Sequence, residues 1–309
     1  MTQLRFLHPR SAIDPRNYGR LAALGILSAW FAVNVSAADS DKRVAEIAGV
    51  TWLTDYDSAY RTAVEQRRML LINFTSPQQC ACQCDVDDAI SSQPEIREKL
   101  ENMVLCRVPV DATIERQGET QTLLAAGAFS PLRNGPGIVM IDLTDRESPH
   151  YGRPVTFLPF QSGKYYRFST KGLATALDLP PGSLTQRTMI WAVRMHPEQP
   201  QSTSGQLDPH LAAGAVQHAS YQANVQQQGH QNFETRFHSL SAAAGGSVAE
   251  VCAESWPGQT MIDSCIDCVA SWRHSSGHWR AVSRPHRAFG YDIRRGRNGI
   301  WYATGLFAD

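Results

Sequence analysis

The chain has 309 residues, 42% of them hydrophobic and 19% charged, a size and mix that suit about two domains, each able to bury a core. Lysine plus arginine and aspartate plus glutamate both number 29, so the formal net charge is zero and no overall field draws the chain to nucleic acid. A local basic run, Arg294, Arg295 and Arg297, reads as a solvated hairpin end, so nucleic acid is not expected as a partner.

The first 37 residues read as an export signal. Arg5, Arg10, Arg16 and Arg20 precede an apolar run over 21–33, and Val35, Ser36 and Ala37 form a small-residue cleavage pattern. The run falls short of the roughly 20 residues that span a bilayer. No cysteine follows it closely, so neither a lipid anchor nor a transmembrane anchor is expected after processing. The mature chain is expected to start near Ala38 and to be secreted or periplasmic, where disulfides persist.

Trp52 and Tyr56 lead into a helix predicted over 58–68, with Ala59, Ala63 and Val64 on one side. The continuous apolar run over 69–74 predicts a buried strand. A second helix is predicted over 88–101. It is followed by a strand over 103–110 that sets Val104, Cys106, Val108 and Val110 on one face. Cys106 is thereby placed in the sheet core. Gly135, Pro136 and Gly137 introduce a third strand over 138–141, with a turn after it. Alternating helices and strands predict an α/β fold.

This stretch resembles the thioredoxin fold, with a domain expected over 44–179. The W-x-x-x-Y entry at Trp52 and Tyr56, the strand running into cysteines, and a proline before a later strand carry the resemblance. It implies that Pro136 stands at the family's cis-proline. The redox motif departs from the family. Thioredoxins place C-x-x-C at a helix N-terminus, whose positive end lowers the first thiol's pKa, whereas Cys80, Cys82 and Cys84 offer only i,i+2 and i,i+4 pairs. A disulfide across two residues would be strained and easily reduced. Three readings stand open: idle or structurally paired cysteines, a dithiol or disulfide-exchange site, and a soft-metal thiolate cluster, for instance for copper(I).

Residues 180–207 read as a linker carrying one helix. Leu179, Pro180, Pro181 and Gly182 make a helix stop and a turn. Residues 186–195 can be helical, and the Pro-, Gln- and Ser-rich stretch over 196–205 reads as surface loop.

Beyond it, Asp208 and Pro209 are a strong helix start. The helix carries Leu211, Ala215, Ala219 and Ala223 up to Gly229, expected as a left-handed cap from which His230 emerges. A short strand carries Glu250 and leads to Cys252 and Glu254. A helix over 262–274 puts Cys265, Cys268, Val269 and Trp272 on one buried stripe. Cys265 and Cys268 therefore read as core packing or a local structural disulfide. Residues 275–278 are expected to end that helix, and 289–307 to form a closing hairpin.

Three pieces recur in the order of one known domain: Gly229 with His230, Ala249 with Glu250, and a W-x-x-S-x-G-H run at Trp272, Ser275, Gly277 and His278. Residues 208–309 resemble the CAP domain core (cysteine-rich secretory, antigen 5, pathogenesis-related 1) in its short bacterial form. The resemblance implies an α-β-α sandwich whose first helix is 186–195, and a cleft where His230, Glu250 and His278 converge. Val251 replaces the asparagine of the family's E-N pair, and Glu254 is a rival glutamate. Glu250 is favoured on its spacing from Arg236. Ser275 occupies the position of a second acid found in eukaryotic members.

Two imidazoles and a carboxylate are ordinary zinc ligands, so His230, His278 and Glu250 make a candidate metal set. An open position could hold water for hydrolysis. Without a nucleophile–base motif or an H-E-x-x-H, no catalytic residue is assigned. The leading expectation is an exported, non-enzymatic binding protein whose CAP cleft takes zinc, another divalent metal or a small ligand. Its partner would be an extracytoplasmic protein, a lipid or a cell-wall ligand. Two alternatives stay open: a thiol-disulfide or copper-handling protein using Cys80, Cys82 and Cys84, and a CAP-cleft hydrolase acting on peptide or cell-wall material.

Overall fold

The computed structural model describes residues 44–76, 81–116 and 118–309. The export-signal reading over 1–37 and Cys80 lie outside the described residues. The fold is α/β, with helices packed against two main sheets.

The first sheet has six strands: β1 (Val44–Ile47), β2 (Val50–Leu53), β3 (Met69–Thr75), β4 (Met103–Pro109), β7 (Gly137–Ile141) and β8 (Pro154–Pro159). Their order is β1-β2-β4-β3-β7-β8. β2, β4 and β3 run parallel, while β1, β7 and β8 pair antiparallel with their neighbours. A separate ribbon joins β5 (Thr113–Arg116) to β6 (Glu119–Thr122). β3 is central and apolar on both faces, Leu71 entering one core cluster and Leu70, Ile72 and Phe74 the other, as expected of a strand covered on both sides. Val104, Cys106 and Val108 line the second cluster together.

The helices differ from the predicted ones for local reasons. α1 is Tyr56–Gln66, two residues earlier than expected. Asp55 caps it by accepting the Ser58 N–H at 2.9 Å, and Arg67 ends it with a left-handed φ of 53°. The helix predicted over 88–101 is two helices, α2 (Ala81–Ser92) and α3 (Pro94–Glu101). Pro94 has no N–H to continue α2 but is well suited to open α3. No cis peptide bond occurs among the described residues, so Pro136 does not take the isomer that the resemblance implied. Arg133 and Asn134, both left-handed at φ 51° and 58°, turn the chain instead, and trans is the lower-energy isomer.

The second half follows α4 (Thr170–Leu177) and α5 (Leu184–Met195). It comprises β9 (Gln206–Leu207), α6 (Pro209–Val225), α7 (Phe233–Ala244), β10 (Val248–Glu254), α8 (Met261–Arg273), α9 (Ser276–Ser283), β11 (Ala288–Arg295) and β12 (Trp301–Ala308). Its sheet is ordered β10-β12-β11-β9, with β10, β12 and β11 antiparallel. α6 covers one face, through Leu211 and Ala215 against Leu306. α5 and α8 cover the other, packing Met189, Cys265 and Trp272 with Phe289 and Phe307. α6 approaches closely because position 290 is glycine. A Cβ there would lie 2.3 Å from the Ala212 nitrogen.

The expected linker is an interior layer. Residues 186–193 of α5 are all buried, and one apolar cluster runs from Trp52 and Leu71 in the first half to Val251 and Phe307 in the second. Arg187 sits inside this layer. It donates to the carbonyls of Ala176, Leu179 and Pro180 and to the Thr156 hydroxyl. The loop over 196–205 is not wholly surface either. Ser202 and Thr203 are buried, and Ser202 Oγ lies 2.7 Å from Tyr291 Oη. The chain has to be held there to deliver β9 alongside β11. Among the described residues no helix is long and apolar enough to cross a membrane.

Candidate functional site

α6 starts where the sequence indicates. Asp208 accepts the N–H groups of His210 and Leu211, both at 2.9 Å, and Pro209 opens the helix. Its end differs: the left-handed cap is Gln226, at φ 56°, and not Gly229. The chain past the cap is held by two buried polar side chains of α6. Gln222 Oε1 accepts the Gly229 N–H at 3.1 Å, and His218 Nε2 bonds the Gly229 carbonyl at 2.8 Å. His230 is thus positioned by α6's interior face and not by a helix terminus.

Glu250 stands on β10 with its carboxylate fully enclosed. Arg236 of α7 grips it with both arms, Nη1 to Oε2 at 2.6 Å and Nη2 to Oε1 at 3.1 Å. His230 Nδ1 lies 3.0 Å from Oε1, and His218 Nε2 lies 3.7 Å from it. Burial alone would raise the Glu250 carboxyl, but the hydrogen bonds from His230 and Arg236 more than reverse this and hold it below its ordinary 4.5. The group is ionised.

His278 reaches the same place from the first turn of α9. It does not end the preceding helix as expected: α8 stops at Arg273, and Ser275 is the N-cap of α9. The W-x-x-S-x-G-H run therefore spans a helix break. His278 Nε2 is 3.3 Å from His230 Nε2, with the rings inclined at 44°. Burial, then proximity to His230, lowers the His278 pKa and favours the neutral ring. The His230 side chain is 44% exposed, so the pair opens to solvent.

These contacts assign protons. A carboxylate only accepts, so His230 Nδ1 carries hydrogen and, in the neutral ring, Nε2 presents a lone pair. A tetrahedral zinc with Zn–N bonds of about 2.0–2.1 Å holds two imidazole nitrogens about 3.3–3.4 Å apart. The spacing of the two Nε2 atoms fits that edge, as it fits an N–H···N hydrogen bond between the rings. Glu250, the third member of the expected set, does not face that edge. It sits on the Nδ1 side of His230, opposite the facing nitrogens, and so backs the ring as an orienting carboxylate. Glu254 is exposed at the far end of β10, about 13 Å along the strand from Glu250, and is not brought to the cleft.

A second group of potential ligands, His218, Glu250 and Cys252, lies within 4.8 Å. Its atoms have protein contacts in this structure, and the group stands as a second candidate metal set. The carbonyl of Gly229 requires the proton on His218 Nε2, Glu250 is matched by Arg236, and burial pushes the Cys252 thiol well up, keeping it protonated.

The cysteines form no cluster among the described residues. Cys82 and Cys84 belong to the first turn of α2, not to a loop. Two residues apart on a helix, they point to different sides. Cys84 is exposed, while the Cys82 thiol lies 3.7 Å from the Phe160 carbonyl. Cys265 and Cys268 are both buried thiols in α8, so no local disulfide joins them. Burial raises both well above the ordinary thiol range.

Sequence reasoning left out His218, Gln222 and the role of Arg236. The first two had a signal: they lie at helical spacing on the apolar stripe of Leu211, Ala215 and Ala219, where a polar residue needs a buried partner. In comparisons with known proteins no family model, no curated protein and no solved structure matches the chain.

Proposed function

We propose that this chain is an exported, non-enzymatic binding protein of the CAP type, preceded by a thioredoxin-like half. In this reading His230 and His278 hold a divalent metal, best zinc, while Glu250 orients His230 and Arg236 neutralises Glu250. The observation that carries the reading is the 3.3 Å separation of the two Nε2 atoms, with His230 Nδ1 tied to a buried carboxylate. A metal held by two imidazoles would keep open positions for a donor group of a protein, lipid or cell-wall ligand.

Calorimetric titration of the full chain with zinc tests this. One equivalent is expected to bind and to be lost in His230→Ala and in His278→Ala, with Glu250→Gln weaker by about 10- to 100-fold. Undiminished binding in both histidine variants would overturn the assignment. Loss in Cys252→Ser alone would move the site to the His218, Glu250 and Cys252 group.

A further inference from the structure

A well-formed cavity lies away from the histidines, between the two halves. It measures 520 Å³, within the range that takes a small organic ligand. Its walls come from the turn before β7, the end of β8, the first turns of α5 and α8, and the ends of β11 and β12.

Three features of the wall agree in sign. Arg133 and Arg295 both line it, and neither has an ion-pair partner among the described residues. No aspartate or glutamate lines it. The carboxylates behind the wall are engaged: Asp263 accepts from the backbone of Tyr165 and Tyr166 and from Thr260, Asp292 accepts from Thr185 and Arg294, and Asp267 bonds the side chains of Gln259 and Tyr165. The first turns of two long helices open on it, at Leu184 and Thr185 of α5 and at Met261 and Ile262 of α8. N–H groups there have no intrahelical acceptor and carry the positive end of the helix dipole.

Leu132, Phe157, Met261 and Ile262 supply an apolar stretch of wall, beside the polar side chains of Ser130, Gln161, Ser162 and Thr188.

We propose that this cavity binds an amphiphilic organic anion, a carboxylate or sulfonate on an apolar body. The acid group faces Arg133, Arg295 and the two helix starts, and the body lies on the apolar wall. The site shares no residue with the His230–His278 pair and does not depend on the metal reading.

The test uses the full chain and 8-anilinonaphthalene-1-sulfonate, an aromatic sulfonate whose fluorescence rises in an apolar site. One saturable site is expected, displaced by decanoate but not by decanol at the same concentration. Arg133→Ala and Arg295→Ala should each weaken it about tenfold, and the Arg133→Glu, Arg295→Glu double variant should abolish it. Both arginines are exposed, so the urea midpoint should be unchanged, which separates a lost site from a lost fold. Absence of saturable binding in the unsubstituted chain, equal displacement by decanol, or full affinity in the double variant would each overturn the proposal.

Discussion

Arg236 is the residue on which the histidine cleft depends most. A carboxylate enclosed as fully as that of Glu250 is destabilising unless its charge is matched and its lone pairs are filled. Arg236 does both with one planar fork, and its guanidinium also lies 5.4 Å from the centre of the Phe233 ring. Removing it should cost more than the exposure of one surface pair suggests. Arg236→Ala is expected to lose about 3–5 kcal/mol, because an uncompensated buried charge remains. Arg236→Lys should fall between the two, since an ammonium cannot reproduce the fork. Urea denaturation of the three proteins checks the order, and an Arg236→Ala midpoint equal to that of the unsubstituted chain would contradict it.

At the scale of elements, Asp263 adds a polar tie between α8 and the first half. Asp263 Oδ1 accepts the Tyr165 and Tyr166 N–H groups at 2.7 and 2.9 Å, and Oδ2 accepts the Thr260 hydroxyl at 2.8 Å. Burial alone would raise this carboxyl, but the backbone hydrogen bonds outweigh it and hold the pKa below 3.8. The sign of the linkage follows. The stabilisation is fully present above the unfolded value near 3.8 and is lost as pH falls through the lower folded value. Asp263→Asn should therefore be less stable than the unsubstituted chain at pH 6, by about 2–4 kcal/mol, and the gap should narrow below pH 4. Urea midpoints measured against pH give the comparison, and a constant gap would remove Asp263 from this role.

The same scale shows what could be read in advance. The start of α6 was legible because Asp208 and Pro209 act locally, and the closing hairpin because its turn residues do. The break between α2 and α3 was also written in the chain, at Pro94, but the apolar spacing on either side ran through it. The start of α9 left no such mark: Ser275 makes no side-chain cap bond, so the break is imposed by packing. The candidate site divides in the same way. Motif resemblance named His230, Glu250 and His278, and they lie in one cleft. It did not tell which ring nitrogen faces which partner, because that is fixed by Arg236 and by the Gln222 and His218 contacts, all set by tertiary structure.

At the scale of the whole molecule, the two halves are not beads on a string. α5 is buried between them, Arg187 ties β8 to the α4–α5 turn, and one apolar cluster crosses the boundary. A shared interior predicts shared stability. Thermal or urea unfolding should be a single transition, coincident by tryptophan fluorescence and far-UV circular dichroism. A fragment spanning 44–179 should lack a cooperative transition, since it leaves Val155, Leu158 and Leu173 without the cover of α5. Two separate transitions in the full chain would show that the halves fold independently.

Gly290 gives the cleft a mechanical reference far from its own residues. The absence of a side chain there lets α6 rest its backbone on β11. α6 in turn carries His218 and Gln222, which clasp Gly229 and so aim His230. Glu250 and His278 are carried by β10 and α9. The gap between two imidazole nitrogens is thereby gauged by the thickness of a helix–sheet contact, and a single methyl group at position 290 would act as a shim beneath one side of the pair.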